Sequence, residues 1–134
     1  MTDLLARLRL TALWAALMFL YVYADIFSFY QPGELEEAIA GKLGPYDVTQ
    51  TSLFLSALLM ALPAAMLALT PLLPTALCRW ANVVMGGLYT LVNIGNVVGE
   101  SWAYYLFYGA LESVLTVSIA VLAYLWLRPG PATT

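Results

Sequence analysis

The sequence predicts an all-α integral membrane protein: a four-helix bundle with both termini cytoplasmic and a short extramembrane amphipathic segment between the first and second helices. Three observations predict it. Four apolar stretches, about 10–30, 53–73, 80–98 and 102–127 of the 134 residues, each approach the ~20 residues that a helix needs to cross the hydrocarbon layer. Composition agrees, since 63% of the residues are hydrophobic and 10% are charged, whereas a soluble domain carries about a quarter charged residues to keep its surface wet. Finally, the cations fall at alternate ends of the stretches: Arg7 and Arg9 precede the first, Arg79 separates the second from the third, and Arg128 follows the fourth. Positive loops face the cytoplasm. A single transmembrane domain over 1–134, multi-pass in the inner (cytoplasmic) membrane, is the expected organisation.

Each element has a local reason. The first span keeps its apolar character beyond Ala24 through Ile26, Phe27 and Phe29, which suits a retained helix better than the short core of a signal peptide. Pro32-Gly33 ends it. In the segment 31–50, Glu34, Glu36 and Glu37 fill a first helical turn, Leu35, Ala38, Ile39 and Leu43 share a face, and Lys42 with Gly44-Pro45 closes the element. Acids at the start complement the helix dipole, and the apolar stripe lies on the membrane surface. In the second span Ala57, Ala61 and Ala65 recur every four residues, while Pro63 frees a backbone carbonyl near mid-membrane and predicts a kink. The short loop Pro74–Cys78 makes the second and third spans antiparallel neighbours, and Gly99-Glu100-Ser101 does the same for the third and fourth. Gly95 and Gly99 form a Gly-x-x-x-Gly pair that permits close approach to a neighbour, in this chain or in a second copy. Trp14, Trp80, Trp102 and Trp126 fall near span ends, where aromatic belts anchor helices.

What the chain lacks bounds its chemistry. It contains no histidine and one cysteine, Cys78, so the commonest metal ligand, the usual proton shuttle and an internal disulfide are missing. No metal site and no cofactor are expected. With a net charge of −3 and no basic stripe, nucleic acid is not an expected partner. Acid–base work falls to carboxyls and tyrosines.

Those groups converge. Glu112 lies just outside the midplane of the fourth span, where a carboxylate costs on the order of 2.5–3.5 kcal/mol and needs a partner or a proton. At ~1.5 Å per residue Asn93 reaches a similar depth, with Asn96 a turn farther out and Asp25 near the level of Asn96. Trp14, Met18, Tyr21, Asp25 and Ser28 share one face of the first helix, Tyr89, Asn93, Asn96 and Glu100 one face of the third, and Ser101, Tyr105, Tyr108, Glu112 and Thr116 one face of the fourth. Turned inward, these stripes enclose a pocket in the outer half of the bundle. Glu112 and Asp25 are its candidate catalytic acids; Tyr21, Tyr89, Asn93, Asn96, Tyr105, Tyr108 and Trp14 are its candidate binding walls. The plainer reading is structural, since such groups also knit helices together at ~0.6–2 kcal/mol per interhelical hydrogen bond.

The stretches Leu13-Trp14, Tyr21-Val22-Tyr23-Ala24-Asp25, Arg79-Trp80-Ala81-Asn82 and Tyr104-Tyr105 with Glu112 give the chain a further resemblance. It is similar to short bacterial four-helix membrane proteins of unknown function, DoxX-like in appearance. The resemblance implies a four-helix fold with both ends inside and brings no reaction with it. Three classes of function follow from the residues. The first is a pocket that binds a small lipophilic molecule, or acid-catalyses isomerisation or cyclisation of an isoprenoid- or sterol-like one. The second is a proton- or cation-coupled transporter, which at this size works as a homo-oligomer. The third is an accessory membrane subunit whose polar stripes are structural contacts. The expected partners are the lipid bilayer and a small lipophilic ligand.

Overall fold

A computed structural model describes residues 1–126. Leu127 and Arg128, used above for the end of the fourth span and for orientation, lie outside the described residues. The chain is mostly helical. Its elements are α1 (Asp3–Ser28), α2 (Glu34–Ile39), a hairpin of β1 (Lys42–Leu43) and β2 (Tyr46–Asp47), α3 (Gln50–Leu69), α4 (Thr75–Val97) and α5 (Ala103–Trp126). The four long helices coincide with the four apolar stretches. Among the described residues α1, α3 and α5 are long and apolar enough to cross a membrane. The third predicted span, α4, is less apolar because Arg79, Asn82, Asn93, Asn96 and several glycines interrupt it.

Helix ends depart from the apolar limits where polar groups supply caps. α1 begins at Asp3, about two turns before the predicted start, with the Thr2 hydroxyl accepting from the Leu5 N–H. α3 begins at Gln50 with a reciprocal capping box between Thr49 and Ser52. It stops at Leu69, short of the predicted end near 73, and the carbonyls of Thr70 and Leu73 turn to the Arg7 guanidinium at 2.9 and 2.8 Å. Arg7 also binds Asp3 at 2.6 Å and the Thr75 hydroxyl at 3.1 Å. A cation at a helix C-terminus satisfies orphan carbonyls and complements the dipole. One side chain thus ties the start of α1 to the α3–α4 turn.

The segment between α1 and α3 holds a feature that hydropathy does not reveal. α2 is shorter than the amphipathic stripe proposed for it, and Leu43 pairs with Tyr46 instead of extending the helix. Gly44 at φ +54° followed by Pro45 makes the two-residue turn. A positive φ at the first turn position with proline at the second is compatible with a type II′ hairpin and not with type I′, which needs both positive. Lys42 pairs with Asp47 across the hairpin at 3.2 Å. Gln31 Nε2 donates to the Tyr104 hydroxyl at 2.6 Å and pins the start of the segment to α5.

Packing is closest between α4 and α5; α1 lies on α5 and α3, and α3 touches α4 only lightly. The second and third spans, expected as antiparallel neighbours across the short 74–78 connection, do meet, as in the Tyr89–Leu59 bond, but α3 rests mainly on α1. The small-residue contact also differs. A side chain at Gly95 would meet nothing within 4 Å, and Gly99 serves the turn at φ +85°. The close approach is at Gly86 instead, where a Cβ would lie 2.8 Å from the Ala120 nitrogen and 2.9 Å from the Thr116 oxygen. Ala57, Ala61 and Ala65 are exposed. Pro63 is buried within α3, and the Tyr89 hydroxyl donates to the Leu59 carbonyl, the group that Pro63 leaves without a helical donor.

Candidate functional site

The inward faces of α1, α4 and α5 are knit by hydrogen bonds in their lower part and open in their upper part. Trp14 Nε1 donates to Asn82 Oδ1 at 2.7 Å, and Asn82 Nδ2 donates to the Cys78 carbonyl at 2.8 Å. A little farther along, the Tyr21 hydroxyl donates to Asn93 Oδ1 at 2.7 Å. The Thr90 hydroxyl donates to Thr116 Oγ1 at 2.9 Å, and the Thr116 hydroxyl donates to the Glu112 carbonyl at 3.0 Å. Trp14, Asn82, Tyr89, Asn93 and Thr116 are wholly buried. These contacts form a closed floor.

Above the floor is a cavity of about 450 Å3. Of the residues predicted for the site, it brings together Glu112, Asp25, Tyr21, Asn96 and Tyr105. Trp14, Tyr89, Asn93 and Tyr108 are not on its wall. The first three belong to the floor, Trp14 and Tyr89 also meeting edge to face at 6.2 Å. Tyr108 stacks on Phe27 with ring centres 6.2 Å apart and planes at 17°. Both α2 and the hairpin reach the cavity, through Glu34 and Leu43, and α3 contributes Ser56, Leu59 and Met60. Glu34 was read from sequence as a dipole-complementing surface acid. Nothing in the pattern of the segment signals that the fold brings it over the mouth.

Glu112 is the unusual member. It is 6% exposed, and among the described residues its carboxyl takes part in no hydrogen bond or ion pair. Its oxygens are not sealed from the cavity, in contrast to Arg79 Nε, which is buried without a partner at the opposite end. The carboxyl occurs on the inward face of α5 one turn from Thr116, so helical spacing aims it into the space that the Tyr21–Asn93 pair closes from below. Asp25 is exposed toward the mouth, and its side chain also makes no ion pair among the described residues. Among the described residues no lysine or arginine lines this cavity. Asp25, Glu34 and Glu112 do not form a cluster that could hold a metal ion among the described residues.

The cations gather elsewhere. Arg7 and Arg79 both lie over the Trp126 ring, at 5.8 and 4.8 Å from its centre. The two ends of the helices are therefore electrostatically opposite, with guanidinium groups at one and the acid-lined cavity at the other.

Long apolar helices of membrane-spanning length around an acid-lined cavity define the class. Within it, the chain belongs to a family of unknown function, DUF6326, whose model matches residues 5–133. No curated protein and no solved structure matches the chain.

Proposed function

We propose that this is a multi-pass protein of the inner membrane, a four-helix bundle with both termini cytoplasmic, that binds a small lipophilic molecule in the cavity above the Tyr21–Asn93 floor. The single observation that carries the reading is Glu112, a buried carboxyl without a partner among the described residues, facing a cavity of about 450 Å3. That volume lies in the ~300–1,000 Å3 range of small-molecule sites. An unsatisfied buried polar group costs about 1–3 kcal/mol, and a ligand whose polar end meets the carboxyl offsets this cost. The orientation rests on Arg7 and Arg79 sharing one end, which the positive-inside rule assigns to the cytoplasm. The cavity then opens in the outer half. The DoxX-like resemblance fits this architecture and is silent on chemistry.

In the catalytic form of the proposal, Glu112 donates a proton to a double bond of an isoprenoid- or sterol-like ligand, Tyr21 and Tyr105 shield the carbocation, and a neighbouring carbon returns a proton to the Glu112 carboxylate, completing isomerisation or cyclisation with Asp25 as the second acid nearer the mouth. A transporter fits less well, because the buried Trp14, Tyr89, Asn93 and Thr116 fill the space beneath the cavity.

The test is mass spectrometry of the purified protein under conditions that retain bound lipids, comparing wild type with Ser56→Trp, which fills the cavity from α3. A lipophilic species retained by wild type and lost from Ser56→Trp is the expected result. The same spectrum from both proteins, or nothing bound to either, overturns it. Glu112→Gln then separates binding from reaction, since glutamine keeps the shape but cannot release a proton. Retained binding with lost turnover identifies Glu112 as the acid; retention of both makes the carboxyl a structural group.

A further inference from the structure

The cavity's charge inventory narrows the ligand. Asp25, Glu34 and Glu112 all line it, no basic side chain does, and these acids make no ion pairs among the described residues. The nearby hairpin cation, Lys42, is engaged by Asp47. Acids alone would not make a site. The independent observation is that Glu112, 6% exposed, directs an unpartnered carboxyl into the cavity. Beside the acids the lining has polar Ser28, Ser56 and Asn96, aromatic Tyr21, Phe29 and Tyr105, and Leu59, Met60 and Val92, which offer room for a hydrocarbon body.

Resting on the binding reading above, we propose that the ligand is a lipophilic organic cation, an amine or quaternary ammonium or phosphonium compound whose charged centre sits between Glu112 and Asp25. A neutral lipid leaves the acids uncompensated in a site with apolar walls, and an anion adds a like charge to them. A bare metal ion requires a ring of oxygen ligands, and the acids are not grouped to supply one. A delocalised or alkyl-shielded cation loses little hydration on entry and gains from both carboxyls and aromatic faces. Glu34, carried on α2 beside the hairpin, adds a third negative group at the mouth and draws cations in before they meet Glu112.

The test uses three probes of related bulk and different charge on the full chain in nanodiscs of zwitterionic lipid, with empty nanodiscs subtracted: tetraphenylphosphonium, neutral triphenylphosphine oxide and tetraphenylborate. Tetraphenylphosphonium should bind at least about ten-fold more tightly than the neutral probe, a difference of about 1.4 kcal/mol, and tetraphenylborate should not bind. Glu112→Gln should weaken cation binding far more than neutral binding and so remove that preference. Asp25→Asn and Glu34→Gln, at exposed or half-buried positions, should each weaken cation binding, and they keep the test decisive if the buried variant does not fold. Neutral binding as tight as cation binding, or cation binding indifferent to all three substitutions, overturns the cation inference and leaves the lipophilic pocket standing. Binding of none of the probes above the empty nanodiscs overturns both.

Discussion

Pro63 has no N–H, so the Leu59 carbonyl loses its helical donor, and Tyr89 reaches across from α4 to supply one. Tyr89→Phe leaves that carbonyl unpaired beside a buried ring. Its expected cost is about 1–3 kcal/mol, read as a lower midpoint in thermal unfolding. Pro63→Ala should restore part of the loss in the Tyr89→Phe background, because the helix regains its own donor; an unchanged midpoint in Tyr89→Phe alone would show that the bond contributes nothing. The free carbonyl was legible in the sequence, since proline fixes it by its covalent structure. The donor was not. Helical spacing puts Tyr89 on the inward face of α4 beside Asn93, but no periodicity within one helix reveals which group of another helix it meets. Trp14 is a similar case. A buried indole N–H requires an acceptor, and Asn82, noticed only as part of Arg79-Trp80-Ala81-Asn82, is that acceptor.

At the level of elements, the contact between α4 and α5 depends on the missing side chain at Gly86. Gly86→Ala forces a Cβ to within 3 Å of backbone atoms of α5, and overpacking of this kind costs about 1–3 kcal/mol. Gly95→Leu, facing open space, should stay within about 0.5 kcal/mol of wild type, as surface substitutions do. Unfolding of both variants in detergent checks the pair; a large loss at Gly95 would place a second copy of the chain against that face. The four long helices were readable because an apolar run near twenty residues has few other uses. Their ends were less so, because Thr2, Arg7 and the Thr49–Ser52 capping box extend or stop helices by hydrogen bonds that hydropathy does not register. Two-residue strands show no alternation, so the hairpin left only Gly44-Pro45 as its trace.

In the molecule as a whole, Arg7 and Arg79 lie at the end opposite the acid-lined cavity, and the proposed orientation puts that end in the cytoplasm. Cysteine introduced at Glu36, on α2, should react with a membrane-impermeant maleimide added outside intact cells, and labelling only from the cytoplasmic side would invert the topology. The native background is low because Cys78 is wholly buried. The placement of the cations and acids along the chain was enough to expect this polarity. It did not indicate that α2 and the hairpin reach the cavity, which depends on the Gln31–Tyr104 bond and on how α1 leans against α3 and α5. The same contacts carry a consequence for biosynthesis. Arg7, Trp14 and Tyr21 are made before their partners Thr70, Asn82 and Asn93, which lie 63, 68 and 72 positions later. α1 is thus synthesised well before the groups that match its polar side chains. Until α4 emerges from the ribosome, the nascent protein carries an indole and a phenol without these acceptors, so translation that stalls after α3 would leave a chain whose polar core has not yet been made.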